Sequence, residues 1–126
     1  HKNNLEKKVV FLGYLDNPWE KIASADLFLL PSRWEGTPNA ALEALACGTK
    51  VIATPNSGGL MDLTTAIKKG DVIISNMGKT FIKTIEDNLR DLKSKIELSK
   101  LPKEFNYDTT LNKYVNLFQK LSISSF

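Results

Sequence analysis

Residues 27–55 read LFLLPSRWEGTPNAALEALACGTKVIATP, and their pattern decides the fold. Leu27-Phe28-Leu29-Leu30 is a continuous apolar run stopped by Pro31, as expected of a strand covered on both faces. Pro38 to Cys47 reads as a helix closed by Gly48, and Val51-Ile52-Ala53-Thr54 as a second strand ended by Pro55. A strand, a helix and a strand at this interval make a right-handed βαβ unit with parallel strands.

The same alternation extends outward. Upstream, Lys8-Val9-Val10-Phe11-Leu12 is strand-like and ends at Gly13, and Pro18 to Ala25 reads as a short helix with Trp19, Ile22 and Ala23 on one face. Downstream, Gly58-Gly59 opens a short helix from Leu60 to Lys68, and Val72-Ile73-Ile74 is a final strand. The expected architecture is α/β: a Rossmann-like parallel sheet of strands Val9–Leu12, Leu27–Leu30, Val51–Ala53 and Val72–Ile74, with helices on both faces. After Gly78 the pattern is helical only. Phe81, Ile82, Ile85, Leu89 and Leu92 form one stripe, and Leu111, Tyr114, Val115, Phe118 and Leu121 another, joined by a linker from Lys100 to Tyr107. There is no internal repeat and no low-complexity segment.

At 126 residues the chain has the length of one domain, and 42% hydrophobic with 25% charged residues is an ordinary globular balance. Its apolar runs are far too short to cross a bilayer. His1-Lys2-Asn3-Asn4 lacks the apolar core of a signal peptide, although a chain cut from a longer protein would not show one. A single cysteine, Cys47, excludes an internal disulfide and suits a reducing cytoplasm. Between Ala44, Leu45, Ala46 and Gly48 it reads as a small buried filler; a catalytic thiol would want a basic partner, and the one histidine is His1. The net charge of +3 divides into −1 over residues 1–63 (six Lys or Arg, seven acids) and +4 over residues 64–126 (eleven and seven). The excess is interleaved with acids along helical segments, which describes a solvated surface. A basic face resting against anionic lipid, at the inner surface of a membrane, stands as the alternative. No aromatic-and-basic platform for nucleic acid is present, so none is expected as a partner.

In parallel sheets ligands bind beyond the carboxyl ends of the strands. Three strand ends therefore qualify: Gly13 to Asn17, Ser32 to Asn39 and Thr54 to Gly59. The second is the most informative. Thr37 is a good N-cap and Pro38 a good first helical residue, which predicts unpartnered amides at Asn39, Ala40 and Ala41. Free amides and the positive end of a helix dipole favour a phosphate, and Gly36, Ala40 and Ala41 leave room for its approach. Glu43 follows Asn39 by four residues and Ala40 by three, so it shares their face. Its carboxylate can accept a forked pair of hydrogen bonds from the ribose diol. Glu35 precedes the helix on the other side of the phosphate position, where its partners would be hydroxyls on the terminal phosphate's substituent. Together these groups describe a nucleotide-sugar. The same residues also fit a plain helix start with two solvated glutamates, and spacing alone does not choose.

Phe11-Leu12-Gly13, Ala25-Asp26-Leu27-Phe28-Leu29-Leu30-Pro31-Ser32, Glu35-Gly36-Thr37-Pro38-Asn39, and Glu43-Ala44-Leu45-Ala46-Cys47-Gly48 resemble family 4 retaining glycosyltransferases. Glu35 and Glu43 match that family's Glu-x7-Glu motif, Val51 to Thr54 and Gly58-Gly59 match its following strand and diglycine turn, and Phe105 to Leu121 resembles its last helix. The resemblance implies a B-type fold of two Rossmann-like domains. The C-terminal one holds the nucleotide-sugar, and the other, absent here, holds the acceptor. It implies that Glu35 contacts the transferred sugar beside the backbone of Gly36, Thr37, Pro38 and Asn39. The amides of Asn39, Ala40 and Ala41 would take the diphosphate, Glu43 the ribose, and Gly13 and Tyr14 would lie near the base. No metal or other cofactor is implied, because helix amides and basic side chains stabilise the leaving diphosphate.

The chain departs from that family in three ways. The glycine-rich loop and basic pair that precede the matched strand in relatives have no counterpart in the eight residues before Val9, and Asp62 stands where many relatives have glutamate. Arg33, though near the motif, is not assigned the role of the basic pair. The chain is expected to be one partial domain, residues 1–126: an excised fragment or one part of a split enzyme, inactive in isolation. It would associate through the sheet edge and helix face its missing half leaves open. A non-catalytic nucleotide-sugar-binding module and a partner-binding scaffold are the readings from other classes. The sugar, base and acceptor are not legible.

Overall fold

Three short parallel strands form the sheet: β1 (Phe28–Leu30), β2 (Val51–Ala53) and β3 (Val72–Ile74), side by side in chain order. The computed structural model describes residues 5–90 and 99–123. Phe28 pairs with Val51, and Val51 with Val72, so the strands start in step and their carboxyl ends lie along one edge. Around them run α1 (Trp19–Ser24), α2 (Asn39–Ala46), α3 (Gly59–Leu63), α4 (Lys79–Arg90) and α5 (Tyr107–Ile123), with a 3-10 turn at Lys103–Phe105.

The apolar spacing within α2 explains the core. Ala41, Ala44 and Leu45 recur at helical intervals and are wholly buried, as are Val51 and Ala53 on one face of β2 and Leu60 at the start of α3. Ile67 completes this cluster, with Ile22 of α1, Phe28, Leu30, Val72 and Ile74 packed at its margin. Small residues at positions 41 and 44 let α2 approach the sheet closely. Ile52, pointing to the opposite face, is also wholly buried. That face belongs to α4: Thr84 and Ser75 share a hydroxyl hydrogen bond of 2.9 Å, and Lys50 Nζ donates to Asn88 Oδ1 at 3.1 Å. Lys50 and Ser75 project on the same side as Ile52 because side chains alternate along a strand. Helices therefore cover both faces, as expected.

Val9–Leu12 is not a strand. The segment has no ladder partner among the described residues, and Val10 and Phe11 are 75% and 94% exposed. Strand propensity records fitness for a pleated, half-buried surface and is not realised without a neighbouring backbone. Among the described residues the sheet thus has three strands where four were expected, and β1 has no strand on its outer side. Two helices also differ at their ends. Pro18 caps α1 from outside, and α3 stops at Leu63, continuing only as turns to Ile67. Of the first helical stripe after Gly78, Leu92 lies outside the described residues.

α5 carries its expected apolar stripe but buries none of it. Tyr114, Phe118 and Leu121 remain exposed, the two rings stacked with centroids 6.4 Å apart. Just before it, the segment around Lys100 is anchored: its backbone amide donates to the Leu45 carbonyl at 2.8 Å, and its ammonium meets Asp71 at 2.8 Å, both side chains nearly buried. Among the described residues, no helix is long and apolar enough to cross a membrane.

Candidate functional site

The loops leaving the carboxyl ends of β1 and β2 meet and hold one another. Thr54, 2% exposed, donates its hydroxyl to the Ser32 carbonyl, and its amide reaches Leu30 O at 3.2 Å. Asn56 grips the first loop twice: its side-chain amide donates to Arg33 O at 3.0 Å, and its carbonyl accepts from Glu35 N at 3.0 Å. Gly59 N donates to Gly36 O at 2.8 Å. Ser57, wholly buried, closes its own turn by donating to Thr54 O at 2.7 Å.

This contact explains the glycine pair. Gly58 has φ +48°, and a Cβ there would stand 1.9 Å from Gly36 O and 2.4 Å from Glu35 O. A Cβ on Gly59 would meet Thr37 Oγ1 at 2.9 Å. Only backbone without side chains comes this close, so Gly58-Gly59 clasps the Glu35–Thr37 loop. At Gly36 a Cβ would meet nothing within 4 Å, so that residue faces open space, as a ligand approach requires.

The start of α2 differs from expectation by one residue. Pro38, in extended conformation, occupies the cap, and Asn39 is the first helical residue. Thr37 does not cap α2; its side chain stands against the glycine pair. Ala41 N donates to Pro38 O at 3.0 Å, so its amide is engaged rather than free. The tight first turn draws that donor inward. Asn39 and Ala40, both exposed, retain amides without a protein partner among the described residues. Glu43 is exposed one turn further on, while Ala41, Ala44 and Leu45 face the core. The free amides and the Glu43 carboxylate therefore share the solvent face of α2.

Glu35 is half-buried, and Ser32 Oγ donates to its Oε1 at 2.6 Å. Cys47, at the end of α2, is partly covered. Burial, and secondarily the Glu43 carboxylate, hold its thiol above the ordinary value, which opposes a nucleophilic role. Gly13 and Tyr14 stand in the exposed segment before α1, with Tyr14 89% exposed and nothing within 4 Å of a Cβ on Gly13. Of the three expected strand ends the structure thus joins two. Sequence reading missed Ser32, Thr54 and Asn56 as framing residues; their only signal was position at a strand end.

The family profile described as "Glycosyl transferases group 1" matches residues 1–106. The chain belongs to this family. Among group 1 glycosyl transferases it is 30% identical over 119 residues to the UDP-Gal:alpha-D-GlcNAc-diphosphoundecaprenol alpha-1,3-galactosyltransferase of Escherichia coli, covering 91% of this chain and 30% of that protein. Over 60 residues it is 38% identical to the N-acetylgalactosamine-N,N'-diacetylbacillosaminyl-diphospho-undecaprenol 4-alpha-N-acetylgalactosaminyltransferase of Campylobacter jejuni, covering 48% of this chain and 16% of that one. Over 68 residues it is 41% identical to the N-acetyl-alpha-D-glucosaminyl L-malate synthase of Bacillus anthracis, covering 54% and 17%. The chain therefore spans less than a third of the length of these relatives. No solved structure gives a significant match.

Proposed function

We propose that this chain is the donor-binding part of a nucleotide-sugar glycosyltransferase of the retaining, family 4 type, with a B-type two-domain architecture completed by an acceptor-binding half. The observation that carries this reading is the common solvent face of α2, where two free amides stand one turn from a carboxylate, beside a loop that presents a second one. Asn39 and Ala40 N–H bind the diphosphate, helped by the helix dipole. Glu43 accepts the ribose hydroxyls. Glu35 and the Gly36–Asn39 backbone contact the transferred sugar. Gly13 and Tyr14 reach the base only if the exposed segment that carries them folds over the site.

An acceptor hydroxyl then replaces the nucleoside diphosphate at the anomeric carbon with configuration kept, its proton passing to the departing phosphate oxygen, and the amides stabilise the leaving charge without a metal. In this reading acceptor positioning falls to the other half, so residues 1–126 on their own turn over no substrate. The exposed face of α5 and the open edge of β1 are the surfaces on which the remaining half packs. The complete enzyme works in the cytoplasm, at the membrane face when its acceptor is lipid-linked; two relatives are named for transfer to diphosphoundecaprenol-linked sugars.

Titration calorimetry with nucleoside diphosphates and their sugar conjugates tests this reading. Glu43→Ala removes charge-assisted hydrogen bonds worth about 1.5–3 kcal/mol and should weaken nucleoside diphosphate binding roughly tenfold or more. Glu35→Ala should leave that affinity nearly intact. Equal losses in both variants, with folding unchanged, would reject the assigned roles.

A further inference from the structure

We infer that Ser32 is a positioning residue that holds the Glu35 carboxylate in one orientation for the donor sugar; this rests on the donor-site reading above. The Ser32 hydroxyl donates to Glu35 Oε1 at 2.6 Å, the short distance of a hydrogen bond to a charged acceptor. Oε2 has no partner among the described residues, and no lysine or arginine pairs with Glu35. One carboxylate oxygen is thus held by the protein and the other is open to a ligand.

Ser32 is itself fixed. Its carbonyl accepts from the buried Thr54 hydroxyl, and Thr54 shares a turn with wholly buried Ser57. The Glu35 amide is held by Asn56 O at 3.0 Å, so backbone and side chain of Glu35 are constrained from separate elements. A glutamate on a loop otherwise has three free side-chain torsions, whose ordering opposes any hydrogen bond it makes. Ser32 removes that freedom before the ligand arrives. It therefore acts on the sugar, which meets Oε2, and not on the nucleotide held by α2.

The test compares Ser32→Ala with Ser32→Thr, which keeps the hydroxyl, both in the full chain and checked for unchanged melting. Side-chain carbon couplings of Glu35 by NMR should show one rotamer in the unaltered chain, averaging in Ser32→Ala, and one rotamer again in Ser32→Thr. Amide shifts of Asn39 and Ala40 should stay in place. In calorimetry with uridine, guanosine and adenosine diphosphates and their hexose conjugates, Ser32→Ala should leave diphosphate affinity unchanged. It should lower the extra affinity conferred by the hexose by several-fold, up to about tenfold, and Ser32→Thr should restore it. A Glu35 side chain that stays in one rotamer in Ser32→Ala overturns the inference whatever binds. Loss of order without loss of the hexose increment overturns its functional half. If the unaltered chain binds no conjugate in the panel, the donor reading fails, while the couplings still decide whether Ser32 orders Glu35.

Discussion

Gly58 and Gly36 lie on opposite sides of one contact and make opposite predictions. Alanine at 58 would need a left-handed backbone and would drive its Cβ into the carbonyls of Glu35 and Gly36. Gly58→Ala should cost at least about 2 kcal/mol in chemical denaturation. Gly36→Ala, with open space at its Cβ, should stay within about 0.5 kcal/mol. Sequence reading assigns Gly36 to a ligand's approach and Gly58 to the start of a helix, and shows nothing of the contact between them. Cys47 offers a second residue-scale test. Its thiol is held up first by burial and then by Glu43, so less of it is thiolate at a given pH than in a free cysteine. Its alkylation at pH 8 should be slower than that of unfolded chain. Glu43→Gln should speed it modestly, because the carboxylate's share of the shift is removed.

At the scale of elements, α2 does two jobs with one periodicity. Ala41, Ala44 and Leu45 bind it to β2, and the alternate face carries the free amides and Glu43. Leu45 is wholly buried at the centre of the cluster, and Leu45→Ala should cost roughly 2–5 kcal/mol, read from denaturant unfolding. The loss should be global, since the same side chain lies in the cluster that joins α2 to β2 and α3. Strands β2 and β3 were legible to the residue, because compact apolar runs bounded by Pro55 and Gly70 leave little choice. Val9–Leu12 shows where that logic stops. The residues have strand character, but a strand is a relation between two backbones.

On the scale of the whole molecule, one nearly buried ion pair ties the segment before α5 to the sheet. Lys100 and Asp71 are 29 residues apart and meet at 2.8 Å. Asp71→Ala removes the carboxylate that meets this nearly buried ammonium and should cost roughly 1.5–3 kcal/mol in unfolding free energy. The Lys100→Met, Asp71→Leu double variant should recover much of that loss, since replacing both charges removes the desolvation penalty. Beyond this anchor, α5 stands with its aromatic face exposed, so truncation after Leu101 should change the melting temperature far less than Asp71→Ala does.

The sequence by itself determined the parallel α/β architecture, the helix that starts near Pro38, and the face shared by Asn39, Ala40 and Glu43. These follow from periodicity and local backbone preferences, which act within a few residues. Only the tertiary structure decided that Gly58-Gly59 clasps the Glu35 loop, that Ser32 holds Glu35, that Ala41 spends its amide on Pro38, and that Lys100 meets Asp71. The Gly58-Gly59 clasp and the Lys100–Asp71 pair join segments far apart along the chain. The other two turn on hydrogen-bond geometry of a fraction of an ångström, set by how neighbouring loops pack and carried by no local pattern of residues.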